Sequence, residues 1–231
     1  MTNKLKILSK TSLFAGIPPE QLDKVGRIAE KRHFRKGEII FTENQEGAGF
    51  YVVASGMVKV FKVSMEGKEQ ILHIFGPGEP IGEVPVFTDK AYPANAEAIA
   101  ESHLLFFPKS AFVNLIAKNP SLSLRMLAVL SMRLRQFTVQ IENLSLKEVP
   151  GRLAGYLLYL AEENQIQDRV ELTISKGHLA SLLGTIPETL SRVFGKMSRD
   201  NIIAVKGRDI RLLDTEKLEA LAGYGLHING D

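Results

Sequence analysis

The chain has 231 residues, enough for one large domain or two small ones, with 45% hydrophobic and 24% charged residues and a net charge of +3. That mixture excludes a disordered chain, a collagen-like repeat and a plain coiled-coil rod. No apolar run reaches the ~18 residues of a membrane span. The absence of cysteine excludes disulfides, thiolate nucleophiles and cysteine-held iron–sulfur clusters.

Met1 to Lys10 is lysine-rich but lacks the apolar stretch of a secretory signal, so a cytoplasmic protein without membrane contact is expected. Leu22, Val25, Ile28 and Ala29 recur at helical spacing behind Pro18-Pro19, which predicts a short amphipathic helix. From about residue 34 to 107 the period changes to two. Turn signals at Lys36-Gly37, Glu46-Gly47, Ser55-Gly56, Glu66-Gly67 and Gly76-Pro77-Gly78 fall roughly every ten residues, the rhythm of a compact all-β barrel or sandwich. Within it Val58 and Val60 are expected on one face, alternating with Lys59, and 44–49 as a loop.

Pro108 ends the β pattern. A short helix over 111–117 follows, and Asn119-Pro120 opens a long one. On it Leu127, Leu130, Leu134, Phe137, Ile141 and Leu144 are spaced 3, 4, 3, 4, 3, an a/d seam of about two and a half heptads. It reads either as a helix packed on its own domain or as a parallel dimer seam. Pro150-Gly151 is expected to be a hinge. A further amphipathic helix, a strand (170–174), two short helices, a hairpin around Lys206-Gly207-Arg208-Asp209, a last helix (215–221) and a frayed tail complete the chain. The expected division is 1–118, 119–146 and 147–231.

The segment 174–197 carries most of the functional information. Ser175 suits an N-cap, Gly184 the tight positive-φ turn of a helix-turn-helix, and Pro187 the first turn of its second helix. Leu190, Val193, Phe194 and Met197 form an apolar face. Glu188, Ser191, Arg192 and Lys196 fall opposite, a spacing that presents three base-reading side chains to a major groove. From Lys176 to Arg211 there are seven Lys/Arg against three Asp/Glu, whereas all residues after 146 hold eleven against twelve. Basic charge is thus concentrated where phosphates would lie, with Ser175, Lys176, Thr189 and Lys196 as candidate phosphate contacts. The plain alternative is a helical hairpin with a solvated charged face.

The order of β-roll, long helix and winged helix-turn-helix resembles the CRP/FNR superfamily of transcription regulators. The motifs that carry the resemblance are Gly56-Met57-Val58-Lys59-Val60, Gly67-Lys68-Glu69, Gly76-Pro77-Gly78, Ile81-Gly82-Glu83 and the run from Leu182 to Arg192. The resemblance implies an α+β chain with a cyclic-nucleotide-binding-like jelly roll. It also implies a homodimer on palindromic double-stranded DNA, an effector held in the roll, and RNA polymerase as a partner.

In the cyclic-AMP branch a Gly-Glu pair is followed by an Arg-Ser pair that holds the cyclic phosphate. Here Gly82-Glu83 is present, but the Arg-Ser positions read Pro93-Ala94, and the purine-facing Thr-Ser pair of the long helix reads Phe137-Thr138. An anionic phosphate buried without its cation is costly, so cyclic AMP is not expected to bind. Glu83 is expected as a lone anion in a pocket more apolar than a nucleotide site. The reading helix matches FNR-type proteins, implying a TTGA-like half-site in which Arg192 contacts guanine. The runs Pro93 to Ala98 and Gly184 to Thr189 resemble the Dnr and HcpR branches of nitrosative-stress regulators, which are associated with haem.

Five histidines are present, His33, His73, His103, His178 and His227, without the spacing of a zinc or cupin site. His178 is expected at the surface, facing phosphate. His73, mid-strand on a face with Ile71 and Phe75, is placed toward the effector pocket by the resemblance. It reads first as a hydrogen-bonded core histidine and second as a haem ligand. Two further functions compete with a DNA-binding regulator: a cupin-like metal enzyme with a helical appendage, and a cyclic-nucleotide-binding interaction module.

Overall fold

The computed structural model describes residues 3–11, 13–14, 16–88, 90–166 and 168–223. The chain forms two compact units, Met1–Arg135 and Gln136–Asp231. His227 and the expected frayed tail lie outside the described residues.

The first unit opens with two helices, α1 (Asn3–Leu8) and α2 (Pro19–Ile28). Eight strands follow: β1 (Glu30–Phe34), β2 (Ile39–Phe41), β3 (Gly49–Ser55), β4 (Val58–Val63), β5 (Glu69–Phe75), β6 (Pro80–Ile81), β7 (Asn95–Ala98) and β8 (Ser102–Pro108). A one-turn helix α3 (Val84–Phe87) lies between β6 and β7, and α4 (Lys109–Ala117) follows β8. The strands pair antiparallel into two four-stranded sheets, in the orders β1-β8-β3-β6 and β2-β7-β4-β5.

Strands β3 and β8 are buried on both faces. Val53 and Leu104 join Phe41, Val58, Phe75, Ile81, Tyr92, Ala96 and Ala98 in one apolar cluster shared by the two sheets. Phe50, Val52, Leu105 and Phe107 point the other way, into a second cluster with Leu8, Leu13, Phe14, Leu22, Val25, Phe112 and Leu122 from the helices and the segments joining them. Each fully buried Leu, Val or Phe contributes roughly 1.5–3 kcal/mol, so the helices are a structural wall of the roll.

The alternation expected in β4 holds: Val58 and Val60 face the shared cluster and Lys59 the opposite face. Lys59 is nonetheless buried, with Nζ 2.6 Å from Glu69 Oε2, 3.2 Å from Glu97 Oε2 and 4.4 Å from the Phe61 ring centroid. Two carboxylates and a ring face replace the water its ammonium gives up, which is what makes the burial tolerable.

Helix α5 (Pro120–Leu146) runs unbroken for 27 residues and belongs to both units. Leu134 is 68% and Ile141 64% exposed, Leu127 and Phe137 are exposed, and Leu130 and Leu144 are half-buried. The seam therefore lies open along the helix. No described helix is long and apolar enough to cross a membrane.

The second unit continues with α6 (Val149–Glu163), β9 (Arg169–Glu171), α7 (Lys176–Leu182), α8 (Pro187–Arg199), β10 (Ile203–Lys206), β11 (Asp209–Leu212) and α9 (Thr215–Ala222). The break after α5 falls at Lys147-Glu148, so Pro150-Gly151 is not the hinge. Pro150 occupies the first turn of α6, where its missing N–H costs nothing. Gly151 serves close approach to α9: a Cβ there would lie 2.6 Å from the Leu221 carbonyl oxygen. β9 packs beside the β10–β11 hairpin in a three-stranded antiparallel sheet.

Candidate nucleic-acid interface and effector site

The α7–α8 pair is built from local signals. Ser175 caps α7, its Oγ accepting from the His178 N–H at 3.1 Å. His178 is half-buried. Gly184 turns the chain at φ +66°, a left-handed conformation that a residue with a Cβ adopts only under strain. The turn is tied to α6 by Arg152, whose Nη1 donates to the Leu183 carbonyl at 2.7 Å. No sequence motif had marked Arg152. Pro187 stands in the first turn of α8.

On α8 the side chains Leu190, Phe194 and Met197 are buried and Val193 is half-buried. Glu188, Ser191, Arg192 and Lys196 are exposed, and Thr189 is half-buried with its Oγ1 3.4 Å from Arg192 Nη2. Ser175 and Lys176 are exposed at the start of α7, and the Lys176 ammonium lies 5.2 Å from the Phe194 ring centroid. In the hairpin, Lys206, Arg208 and Arg211 are exposed, while Arg169 pairs with Asp209 at 2.6 Å. The structure thus collects on one helix and its flanks the polar and basic side chains singled out by spacing, with an apolar face beneath them.

The first unit builds a second polar constellation around β5, β6 and α5. Glu83 is buried, and Arg133 of α5 donates to its carboxylate through Nη1 and to the Pro80 carbonyl through Nη2. The guanidinium also lies 4.8 Å from the Phe75 ring centroid. Glu83 is therefore not the lone anion expected from sequence; a cation 50 positions away neutralises it. Arg133 was missed because one arginine within a long helix carries no local signal.

His73 stands beside this pair, its Nε2 3.7 Å from Glu79 Oε1 and its ring 4.5 Å from that of Phe75. Glu79 also accepts from the Gly76 N–H at 2.7 Å. Burial pushes the Glu79 carboxyl up, but the contact with His73 and the Gly76 hydrogen bond, with the charges of His73 and Arg133, bring it below its ordinary value.

Gly82 adopts φ +75°, and a Cβ there would come within 3.0 Å of both Phe41 and Tyr92. Those two rings stack at 4.0 Å, and Tyr92 donates to the Gly49 carbonyl at 2.7 Å. Burial first, and then the neighbouring Tyr51, push the Tyr92 phenol up to about 12 against that hydrogen bond. The glycine of the Gly82-Glu83 pair is thus required by its left-handed backbone and by packing against these rings. Ala94 is buried. Pro93 is exposed, and its carbonyl accepts from Lys62 Nζ at 3.0 Å, with Glu43 bonded to the same ammonium. Two cations that the sequence had not suggested, Arg133 and Lys62, therefore sit among residues expected to form an apolar pocket. Phe137 and Thr138 are exposed on the part of α5 that belongs to the second unit.

Comparison with known proteins bears on both constellations. Residues 31–119 match the cyclic nucleotide-binding domain family and residues 151–221 the Crp-like helix-turn-helix domain family. The cyclic AMP receptor protein of Thermus thermophilus is 30% identical over 214 residues, covering 93% of this chain and 97% of that protein. The chain belongs to the CRP/FNR family of transcription regulators. It is also 28% identical over 217 residues to the CRP-like cAMP-activated global transcriptional regulator of Mycobacterium tuberculosis, covering 92% of this chain and 97% of the relative. Among solved structures, FixK2 of Bradyrhizobium japonicum shares the fold with a TM-score of 0.74 at 24% identity, over 84% of this chain and 97% of that one. Membership in the CRP/FNR family disfavours the cupin-like enzyme and the stand-alone interaction module.

Proposed function

We propose that this CRP/FNR regulator acts as a homodimer on a palindrome of TTGA-like half-sites, read by Glu188, Ser191 and Arg192. Ser175, Lys176, Thr189 and Lys196 hold phosphates. The observation that carries this reading is the division of α8 into a buried face, Leu190, Phe194 and Met197, and an exposed one carrying all three base-reading candidates. An arginine in that position reaches guanine O6 and N7 bidentately, while contacts to phosphate position the protein without reading sequence.

In this account 1–118 senses, 119–146 dimerises through Leu127, Leu130, Leu134, Phe137, Ile141 and Leu144, and 147–231 reads DNA. The protein works in the cytoplasm as a partner of RNA polymerase and performs no enzymatic reaction. Gel-shift selection from random duplexes with the full chain tests the reading. It predicts a two-fold symmetric site; recovery of no common sequence overturns it.

The effector is not cyclic AMP. Pro93 and Ala94 stand where the cyclic-AMP branch has its phosphate-holding pair, and Glu83 is already engaged by Arg133. Calorimetry with cyclic AMP and cyclic GMP is expected to show no saturable binding. The finer assignment, to nitrosative-stress regulators of the Dnr/HcpR kind, gives haem as the cofactor and His73 as its first candidate ligand. What favours it is Glu79 beside the imidazole, since a carboxylate partner fixes the tautomer of a ligating histidine. Titration with haemin gives a Soret band that His73→Ala shifts or abolishes if this is right, and no saturable binding if it is wrong.

A further inference from the structure

We propose that His33 and His103 form a two-imidazole site for a borderline divalent transition-metal ion on the surface of the roll. The two residues stand directly opposite each other on β1 and β8, and both are exposed. Their ring centroids are 4.8 Å apart with the planes tilted by 39°. Two imidazoles sharing one ion at metal–nitrogen distances of about 2.0–2.1 Å place their centroids about 4.5–5.2 Å apart, as the angle at the metal opens from a right angle to tetrahedral. The observed separation lies inside that interval before any ion arrives.

Each ring is also oriented by a second contact. His33 Nε2 lies 3.1 Å from Glu101 Oε1, and His103 Nδ1 lies 3.3 Å from Ser55 Oγ. With Nε2–H donating to Glu101, His33 presents the Nδ1 lone pair. With Nδ1–H donating to Ser55, His103 presents Nε2. A carboxylate behind a ligating imidazole raises its basicity, so Glu101 is a positioning residue here.

Among the described residues no three His, Asp or Glu side chains are grouped to hold a metal. The ion therefore keeps water in its remaining positions and exchanges readily. Two nitrogen donors without thiolate suit Cu2+, Ni2+ and Zn2+, in the order of their intrinsic affinities, and not Mg2+ or Ca2+, which need oxygen cages. Because β1 is the edge strand of its sheet and pairs with β8, the ion would clip that edge in place.

The test is titration of the tag-free full chain with Cu2+, followed by electron paramagnetic resonance and calorimetry. One equivalent is expected to bind with a spectrum of two equatorial nitrogens. His33→Ala and His103→Ala should each weaken binding at least about tenfold, Glu101→Gln should weaken it about tenfold, and His178→Ala should leave it unchanged. Both histidines are exposed, and circular dichroism verifies that the variants fold. A one-nitrogen spectrum, or equal affinity in either single-histidine variant, overturns the proposal.

Discussion

Replacing Arg133 by methionine removes the cation from a carboxylate that the fold has already taken out of water. The side chains of Arg133 and Glu83 are 15% and 10% exposed, so solvent screens the pair little. Breaking a buried pair from one side costs about 3–5 kcal/mol, because the remaining charge has no partner. Methionine keeps most of the apolar contact with Phe75, so the cation–π loss adds only about 1 kcal/mol. Glu83→Gln leaves the guanidinium bonded to the Pro80 carbonyl and should cost less. The double variant, Glu83→Gln with Arg133→Met, restores neutrality and should be more stable than the sum of the single effects allows, by about 2 kcal/mol. Urea unfolding of the four proteins at pH 7 measures this coupling through the midpoints, provided the slopes agree. Additivity within about 0.5 kcal/mol would refute the idea that the two side chains act as one buried unit.

Two further outcomes follow from the same physics. Leu134 is 68% exposed in the single chain, so Leu134→Glu should fold; a charge in a buried a/d seam is costly, however, so the variant should sediment as a monomer, and an intact dimer would count against the seam. Glu79, held below its ordinary carboxylate value, adds stability that is present above about pH 4.5 and lost as pH falls through its folded value. In His73→Gln the folded value rises toward the unfolded one, so this contribution should be smaller at neutral pH and exhausted at a higher pH in acid unfolding curves, and superimposable curves would show that His73 contributes nothing.

The helix-turn-helix was legible because each of its determinants is local. A glycine at a positive-φ turn, a proline in a first turn and an apolar stripe at helical spacing declare themselves within 24 residues, 174–197, and the structure places all three as expected. The β-roll was legible as a rhythm of turns, but not strand by strand. Alternation fails in β3 and β8 because one face meets the other sheet and the opposite face meets helices. Lys59 keeps the alternation, but its burial was not legible because its partners, Glu69 and Glu97, come from different strands. Arg133 was invisible for the same reason, since its pairing with Glu83 exists only after the chain has folded over 50 residues. Charges satisfied by distant partners leave no periodic trace, and here they dominate the candidate effector site.

Binding-site selection run in parallel on the wild type, Arg192→Ala and Lys196→Ala separates base reading by α8 from phosphate holding. Loss of a bidentate arginine–guanine contact removes about 1–3 kcal/mol of discrimination at one base pair per half-site. Arg192→Ala is expected to select a palindrome degenerate at that guanine while retaining weak, salt-sensitive binding. Lys196→Ala is expected to select the wild-type sequence with uniformly lower affinity and a salt slope reduced by about one. An unchanged selected site for Arg192→Ala would contradict the assignment of α8 as the reading helix.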